Sequence, residues 1–547
     1  MEWKTIESDV LIIGGGPAGC MAAINASNDK INVVLVDKSG FGRSGACGMG
    51  IDHYRVYFPE EEIKMPYTME EQVIEETRKA DGLWDQENYY SLLPDLYKRL
   101  KDLEKIGVDF KFKGKYRVVP YEAGSNVQFA FRDMLPVMAR EVCNRGVNVF
   151  DRVLITRIFS NGNSFSGATG LSIRDGSVIF FKAKACVLAA GTVMNMYRSP
   201  SGMYSNTMYP PSYFGDGLAM ALNAGADLTN MEFATSGRSS LLNWKGFPNG
   251  ALSFTFGPTA KLVDAKGQEY KYGSKHSPAD LSNIYEKSLA PILLDCSNMP
   301  EEEMEAAMWS FPHEGRCYVL YQHLMEEKVD LKKDKIEFGP TSAWLSLLNG
   351  GVVVDKECRT SVQGLFAAGD VVGGWWIAGP GAIAAGYRAG GVAADHSRKV
   401  ELSNTNIEES ANEKERISSI QSRKEGESWQ NYLLAVQNLM DHYAGEYRSG
   451  KLLQMGLQEI IDLRRSAKQN LYANTTHDLM RALGILNLIN ICETTIVGAI
   501  ERKESRRSHY RTDFPEKDDE NWRKFIIIQK KNGNLQITHK KMVDLFK

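Results

Sequence analysis

The stretch Asp9-Val10-Leu11-Ile12-Ile13-Gly14-Gly15-Gly16-Pro17-Ala18-Gly19 constrains this chain more than any other. A β-branched run ends in three glycines and passes directly into Cys20-Met21-Ala22-Ala23-Ile24-Asn25, which predicts strand, tight turn and helix in immediate succession. Gly14, Gly16 and Gly19 have the spacing a dinucleotide needs: the first permits the turn, the second leaves room for a pyrophosphate, and the third lets helix and strand approach closely. Pro17 and Ala18 open the helix, whose free amides and partial positive charge face the phosphates. A second apolar run, Val33-Val34-Leu35-Val36, ends in Asp37, about twenty residues beyond the glycines, the distance at which a second parallel strand returns beside the first. Asp37 can accept from a ribose hydroxyl pair and would repel a 2′-phosphate, which favours FAD or NAD over NADP. Such a glycine string alone is often only a glycine-rich turn. Here strand, loop, helix and terminal acid occur in order.

The segment Lys38-Ser39-Gly40-Phe41-Gly42-Arg43-Ser44-Gly45-Ala46-Cys47-Gly48-Met49-Gly50 separates FAD from NAD. Its small residues let an extended cofactor lie against the backbone, with Lys38, Arg43 and Ser44 as polar contacts and Gly45 as a bare position. Two later apolar runs end in glycine: Cys186 to Ala190-Gly191, and Gly364 to Gly369-Asp370. Both are expected as buried parallel strands returning to one sheet.

The chain has 547 residues, and 65 basic against 68 acidic residues leave a formal charge of -3. The charges are mixed along the chain, so no electrostatic footprint for nucleic acid or an anionic membrane exists and a small molecule is the expected partner. The N-terminus runs from charged residues straight into a strand, and no uninterrupted apolar run is long enough to span a bilayer; a cytoplasmic protein is expected. Eight cysteines are scattered singly without a CxxC pair, so no metal site is expected and any iron–sulfur cluster must come from another chain.

The predicted fold class is α/β: a Rossmann-like FAD-binding domain interrupted by an α+β capping domain and followed by a C-terminal helical domain. The expected boundaries are 1–235 and 346–400 for the two parts of the FAD-binding domain, 236–345 for the cap, 401–505 for the helical domain and 506–547 for a tail.

Four stretches together resemble the fumarate reductase and succinate dehydrogenase flavoprotein superfamily, and within it the adenylylsulfate reductase α subunits most closely. They are Arg43-Ser44-Gly45-Ala46, Tyr209-Pro210 through Ala224-Gly225-Ala226 to Met231-Glu232, Gly364 to Asp370, and the long tail from Glu504-Ser505-Arg506 through His509-Tyr510-Arg511-Thr512-Asp513-Phe514 to Trp522. The resemblance implies Asp370 near the flavin ribityl chain and the stretch Gly381-Ala382-Ile383-Ala384-Ala385-Gly386 near the flavin ring. For His509 and Arg511 it suggests a structural or flavin-proximal role.

The departures matter equally. Gly45 stands where many members carry a histidine bonded to the flavin, so the resemblance implies a non-covalent FAD. Phe233 to Arg238, Trp344 to Asn349 and Gly373 to Gly381 lack the histidines and the arginine that hold a dicarboxylate in such enzymes. Losing those charge-assisted bonds makes fumarate and succinate poor substrates. Two adenylylsulfate reductase positions also differ: Arg55 stands for an asparagine, and Met208 for a tryptophan.

Flavin N5 exchanges a hydride or forms an adduct, while the protein orients the reacting atom. Arg238 is the first candidate for a substrate anion contact, or alternatively an exposed arginine capping a helix. His53 and Arg55 follow the flavin loop and could act as proton donor or anion clamp, or pack against the cap. Trp375 and Trp376 could stack on a ring-bearing substrate or screen the flavin, or serve as core. Cys47, without a resolving cysteine nearby, reads better as a small packed residue than as a redox thiol.

The leading expectation is an oxidoreductase subunit in a hetero-oligomer. It would pass electrons between non-covalent FAD, a small anionic substrate and a ferredoxin-like partner carrying the 4Fe-4S clusters. A fumarate-reductase-like enoate reductase with a rebuilt pocket is the second reading, and an electron relay without its own substrate the third.

Overall fold

The computed structural model describes residues 4–51, 53–121, 124–198, 210–234, 238–244, 247–248, 259–271, 289–313, 317–343, 347, 349–403 and 407–546. Its centre is a sheet in which β1 (Lys4–Ile13) lies between β2 (Val33–Asp37) and β3 (Val178–Leu188), parallel to both. The short strand Asn148–Asp151 flanks β2, and β4 (Leu365–Ala367) joins the C-terminal end of β3, both again parallel. Val10 to Ile13 and Val33 to Val36 are buried. A parallel strand covered on both faces must be apolar at every position, which explains the unbroken runs in the sequence. Because all five strands point the same way, the loops after β1, β2, β3 and β4 meet at one edge of the sheet, where ligands of such sheets bind.

Two helices cover the sheet beside that edge, α1 (Pro17–Ala26) and α2 (Ala378–Ser397). A Cβ on Gly386 or Gly390 of α2 would fall 2.2 Å from the carbonyl oxygens of Ala18 and Ala22 in α1. The glycines, four residues apart on one helix face, allow the two backbones to touch.

A four-stranded antiparallel sheet built from His53–Val56, Gly124–Gln128, Lys115–Tyr121 and Lys111–Phe112 is inserted after the flavin loop, with the helices Met69–Lys79 and Gln86–Lys105. The sequence reading did not distinguish it from the rest of the first segment. The region between Arg238 and Ala343 carries a six-stranded sheet of its own with a separate core around Leu262, Leu294, Phe311, Leu320 and Ile336. The helices Ile407–Gln421, Trp429–Tyr443 and Gly450–Asn470 follow, then α3 (Thr476–Glu501).

No uninterrupted apolar run spans α3, yet the helix as a whole is long and apolar. Its 26 residues include a window of mean hydropathy 1.6, long and apolar enough to cross a bilayer, and 67% of that window is buried inside the protein. Asn487, Asn490 and Glu493 interrupt the apolar run in the sequence, so helix length and average hydropathy were not apparent from uninterrupted stretches. Leu479, Leu483, Leu488 and Ile496 are fully or almost fully buried, as in the core helix of a bundle.

The tail folds back onto the first domain. Lys524–Lys531 and Asn534–Lys541 form a hairpin, and Ile527 and Ile528 pair with Thr229 and Leu228, which pair in turn with Gly351–Val352. Tail, entry to the cap and exit from the cap thus share one four-stranded sheet.

Candidate cofactor and active site

The loops at the sheet edge enclose an elongated cleft of about 1400 Å³, measured out to its open mouth. Its walls come from Gly14 to Ala18, Asp37 to Ser39, Ser44 to Cys47, Val153 to Ile155, Ala189 to Gly191, and Gly369-Asp370. Further wall residues are His53, Tyr213, Asp216, Trp376, Pro380 and Ala382.

The three motif glycines have three different geometries. Gly14 has φ +110° and a Cβ there would lie 2.3 Å from the Ala189 carbonyl oxygen, so this position turns the chain against β3. On Gly19 a Cβ would lie 1.8 Å from the Gly14 oxygen, which seats the helix on the loop. On Gly16 a Cβ would meet nothing within 4 Å. That empty space belongs to the cleft, so a side chain at Gly16 would fill the cradle at the N-terminus of α1, where unpaired amides favour a diphosphate.

Asp37 ties the loops together. Its Oδ2 accepts from the Gly15 amide at 2.6 Å and the Ser44 hydroxyl at 2.8 Å, and its Oδ1 from the Ser39 amide at 2.6 Å. Each carboxylate oxygen has two acceptor directions, so capacity for a ribose hydroxyl remains. The Lys38 ammonium donates to the Ser212 carbonyl at 2.6 Å and pairs with Asp216 at 2.7 Å. Asp216 also accepts from Asn487 on α3 at 2.9 Å, which couples the cleft to the helical domain.

Of the sixteen cofactor positions expected from sequence, Gly14, Gly16, Pro17, Ala18, Asp37, Lys38, Ser44, Gly45, Ala190, Gly191, Gly369, Asp370 and Ala382 line the cleft. Gly19 acts behind it. Ile383 is in the core with no exposed surface. The Arg43 guanidinium points outward to an exposed pair with Asp133 at 2.6 Å, each side chain more than half exposed.

His53 lines the cleft. Arg55, two residues further along the same strand, is turned to Glu76, 3.2 Å away on the helix Met69–Lys79, and is not brought to the cleft. The Arg238 backbone pairs with Ala343 at the root of the cap sheet, and its side chain lies outside the described residues. Tyr209, Thr235 to Gly237, Trp344 to Ser346 and Leu348 also lie outside them. The Trp376 indole donates to Asp370 Oδ1 at 3.0 Å and stands in the cleft wall, whereas Trp375 is buried. Cys47 is a buried thiol outside any disulfide, standing in the wall with its sulfur facing Gly379.

Sequence reading missed Tyr213, Asp216, the strand residues Val153 to Ile155 and the wall role of Pro380. Gly215-Asp216-Gly217 carries a turn and helix-start signal. The others bear no local mark and reach the cleft only through long-range packing.

A second polar assembly lies in the tail. Glu232, Arg448, Arg502, Glu504 and His509 are completely buried, and Arg506 and Arg511 nearly so. The Arg502 guanidinium lies 2.8 Å from both Glu232 Oε1 and Glu504 Oε1, and donates to the Trp522 carbonyl at 2.9 Å and the Lys524 carbonyl at 3.0 Å. Arg506 holds Glu504 at 2.7 Å and also reaches the Asp81 carbonyl. Arg448 donates to the Glu232 carbonyl at 2.6 Å and to His509 Nδ1 at 2.9 Å, while His509 Nε2 faces the Arg502 carbonyl at 3.2 Å. These partners specify a neutral imidazole that accepts at Nδ1 and donates at Nε2. Burial, with Arg448 and Arg502 alongside, holds the His509 pKa well below the ordinary histidine value. His509 and Arg511 belong to this knot and do not line the cleft.

Among the described residues, no group of three or more His, Cys, Asp or Glu side chains could hold a metal ion. A glycine cradle at a helix N-terminus, an acid at the end of β2 and a long cleft running to the loops at 44–50 and 376–382 fit FAD. When bound, FAD supplies hydride and electron transfer.

Comparison with known proteins agrees. Residues 9–391 match the FAD binding domain model, and residues 434–545 match the fumarate reductase flavoprotein C-terminal model. A fumarate reductase (CoM/CoB) subunit of Methanothermobacter marburgensis is 28% identical, over 97% of this chain and 98% of that protein. The fumarate reductase flavoprotein subunit of Mycobacterium tuberculosis is 23% identical, over 97% of each. The adenylylsulfate reductase structure from Archaeoglobus fulgidus superposes with a TM-score of 0.83 over 100% of this chain and 97% of that one, at 23% identity. The quinol fumarate reductase FrdA chain of E. coli gives 0.82 at 20% identity, over 100% and 98%. The chain belongs to the FAD-binding fumarate reductase and succinate dehydrogenase flavoprotein family, and is an FAD-dependent oxidoreductase.

Proposed function

We propose that this chain is the flavoprotein subunit of a cytoplasmic oxidoreductase that holds FAD without a covalent bond and passes electrons between a small anionic substrate and a separate iron–sulfur subunit. The observation that carries the reading is Gly45. It lies in the cleft wall between Ser44 and Ala46 and offers no side chain to bond a flavin. His53 stands in the same wall and is the residue in reach of proton transfer at that end. Support for a partner comes from relatives that are themselves subunits by name and from cysteines spaced too singly to hold a cluster.

The reading treats fumarate as a poor substrate because the cationic residues that would clamp two carboxylates are replaced. Similarity to the Methanothermobacter fumarate reductase (CoM/CoB) chain favours enoate reduction with a rebuilt pocket as a second reading. Trp376 and the apolar positions Ile51, Ala378 and Pro380 in the same wall favour the electron relay, since a relay needs flavin and partner contacts but no substrate clamp.

One experiment separates the three. The protein is purified natively, its iron and copurifying chains are identified, and the photoreduced flavin is mixed with fumarate or adenylylsulfate. Flavin released by acid, together with iron on a second chain and oxidation by a non-dicarboxylate anion, is the expected result. Oxidation by fumarate alone supports the enoate reading, and oxidation only by an external electron carrier supports the relay. Flavin that stays on the acid-precipitated chain, or a monomeric iron-free protein with full NADH turnover, overturns the proposal.

A further inference from the structure

We propose that Tyr213 is a positioning residue for FAD: its phenol bridges the two walls of the cleft, clasps the loop around Gly45, and offers its proton to the bound dinucleotide. The residue is built into place from behind. Its carbonyl accepts from the Met194 amide and from the Asn195 side chain, both at 3.0 Å, and its own amide donates to the Pro210 carbonyl at 3.1 Å. Asn195 is itself buried and also donates to the Pro211 carbonyl at 2.9 Å. With the backbone held on the β3 side, the ring projects into the cleft wall.

Both surfaces it meets are glycine. At Gly191 a Cβ would stand 3.2 to 3.4 Å from three atoms of the phenol, and at Gly45 a Cβ would stand 3.3 Å from the hydroxyl. The two glycines have φ of +72° and +77°, the left-handed region that disfavours any side chain. The Ala46 amide donates to the Tyr213 hydroxyl, so the contact to the flavin loop is a bond as well as a packing surface. The Asp370 and Asp37 carboxylates act on the hydroxyl, and the Gly45 Cβ position that meets it also stands 3.7 Å from the Gly16 Cα. Gly16 forms the cradle at the N-terminus of α1, so the phenol stands beside the place where the diphosphate belongs. Burial and the two carboxylates keep it protonated, and a neutral phenol donates to an anionic oxygen where a phenolate would repel it.

The inference rests on FAD filling the cleft, and Gly16→Val tests that point separately by abolishing FAD binding to a folded chain. Tyr213→Phe keeps the ring and removes only the hydroxyl. It is expected to raise the FAD dissociation constant about tenfold, the value of one or two hydrogen bonds, and to speed amide hydrogen exchange in residues 44–50 of the FAD-free chain. Gly45→Ala is expected to weaken FAD binding in both backgrounds through its left-handed backbone, and further in the wild-type background, where the methyl group also meets the hydroxyl. If Tyr213→Phe does not fold, amide exchange in the wild-type FAD-free chain decides: protection of the Ala46 amide supports the clasp, and unprotected exchange there overturns it. Unchanged FAD affinity and loop exchange in Tyr213→Phe, or unchanged affinity in Gly45→Ala, overturns it.

Discussion

The dinucleotide cradle and the tail knot are both buried junctions between distant parts of the chain, and they are built in opposite ways. The cradle is made by removing side chains: Gly14, Gly19, Gly386 and Gly390 let backbone touch backbone, and a methyl group at any of them would fall within 2.3 Å of a carbonyl oxygen. The knot is made by burying the largest polar side chains available, Arg448 and Arg502 at no measurable exposure, and satisfying them with carboxylates and carbonyls. The difference teaches where each junction is vulnerable. A cradle of glycines fails by steric collision and loses its ligand. A knot of charges fails by leaving one partner buried and alone, and loses stability instead.

Breaking the cradle has the larger effect. Gly19→Val places a side chain on a Cβ 1.8 Å from the Gly14 oxygen, and neither backbone can yield without pulling α1 off β1. We expect a loss of more than about 4 kcal/mol, in the range reserved for gross steric or core defects, seen as insoluble protein or folded protein without flavin absorbance.

Arg502→Ala comes next. It strands the Glu232 carboxylate without exposure, while Glu504 keeps Arg506, and breaking a buried pair from one side costs about 3 to 5 kcal/mol. Thermal unfolding should fall by several degrees while protein that remains folded still binds FAD. Loss of FAD binding without loss of stability would show that the two junctions are not separable.

The knot also gives a pH signature. His509 is held neutral in the folded state, with its pKa well below the ordinary value because of burial and the neighbouring Arg448 and Arg502. Below about pH 6.5 the unfolded chain takes up a proton that the folded chain refuses. Stability from this group is therefore complete above that pH and falls as the solution is acidified, with a slope approaching about 1.4 kcal/mol per pH unit for one proton. Chemical denaturation between pH 7.5 and 5 measures it, and His509→Asn should flatten the slope. FAD affinity should follow neither change.

The smallest effect is expected from Arg43→Ala. Its pair with Asp133 is more than half exposed on both sides, and such pairs contribute under about 0.5 kcal/mol. FAD affinity and melting temperature should stay within error of wild type. A large loss of FAD would show that Arg43 turns inward when the cofactor binds.

Legibility followed the range of the contacts. The glycine loop and Asp37 are close in sequence and joined by one βαβ unit, so spacing alone carried their roles. The strand ends at Gly191 and Gly369-Asp370 were also visible, because parallel buried strands impose continuous apolar runs. The inserted sheet holding His53 was not, since its strands Lys111–Phe112 and Lys115–Tyr121 are short and partly exposed. His53 and Arg55 looked alike in sequence. Pairing with Glu76 drew one side chain to the helix layer, while the other stayed in the cleft wall. Arg43 looked like a polar contact to the cofactor because it sits in the flavin loop, yet the loop turns it towards Asp133.

By itself the sequence determined the fold class, the dinucleotide and the bare position at Gly45, because these depend on backbone conformation and on periodic burial that any neighbouring chain must respect. Only the tertiary structure decided that the Tyr213 ring meets Gly191 and Gly45, that α3 is a core helix rather than an apolar span, and that the tail arginines bury their charges against Glu232 and Glu504. Those outcomes depend on groups far apart in the chain, such as Gly45 and Tyr213 or Glu232 and Arg502, coming within a few ångströms of each other. A hydrogen bond or a steric collision is decided at that distance, and no local pattern encodes it.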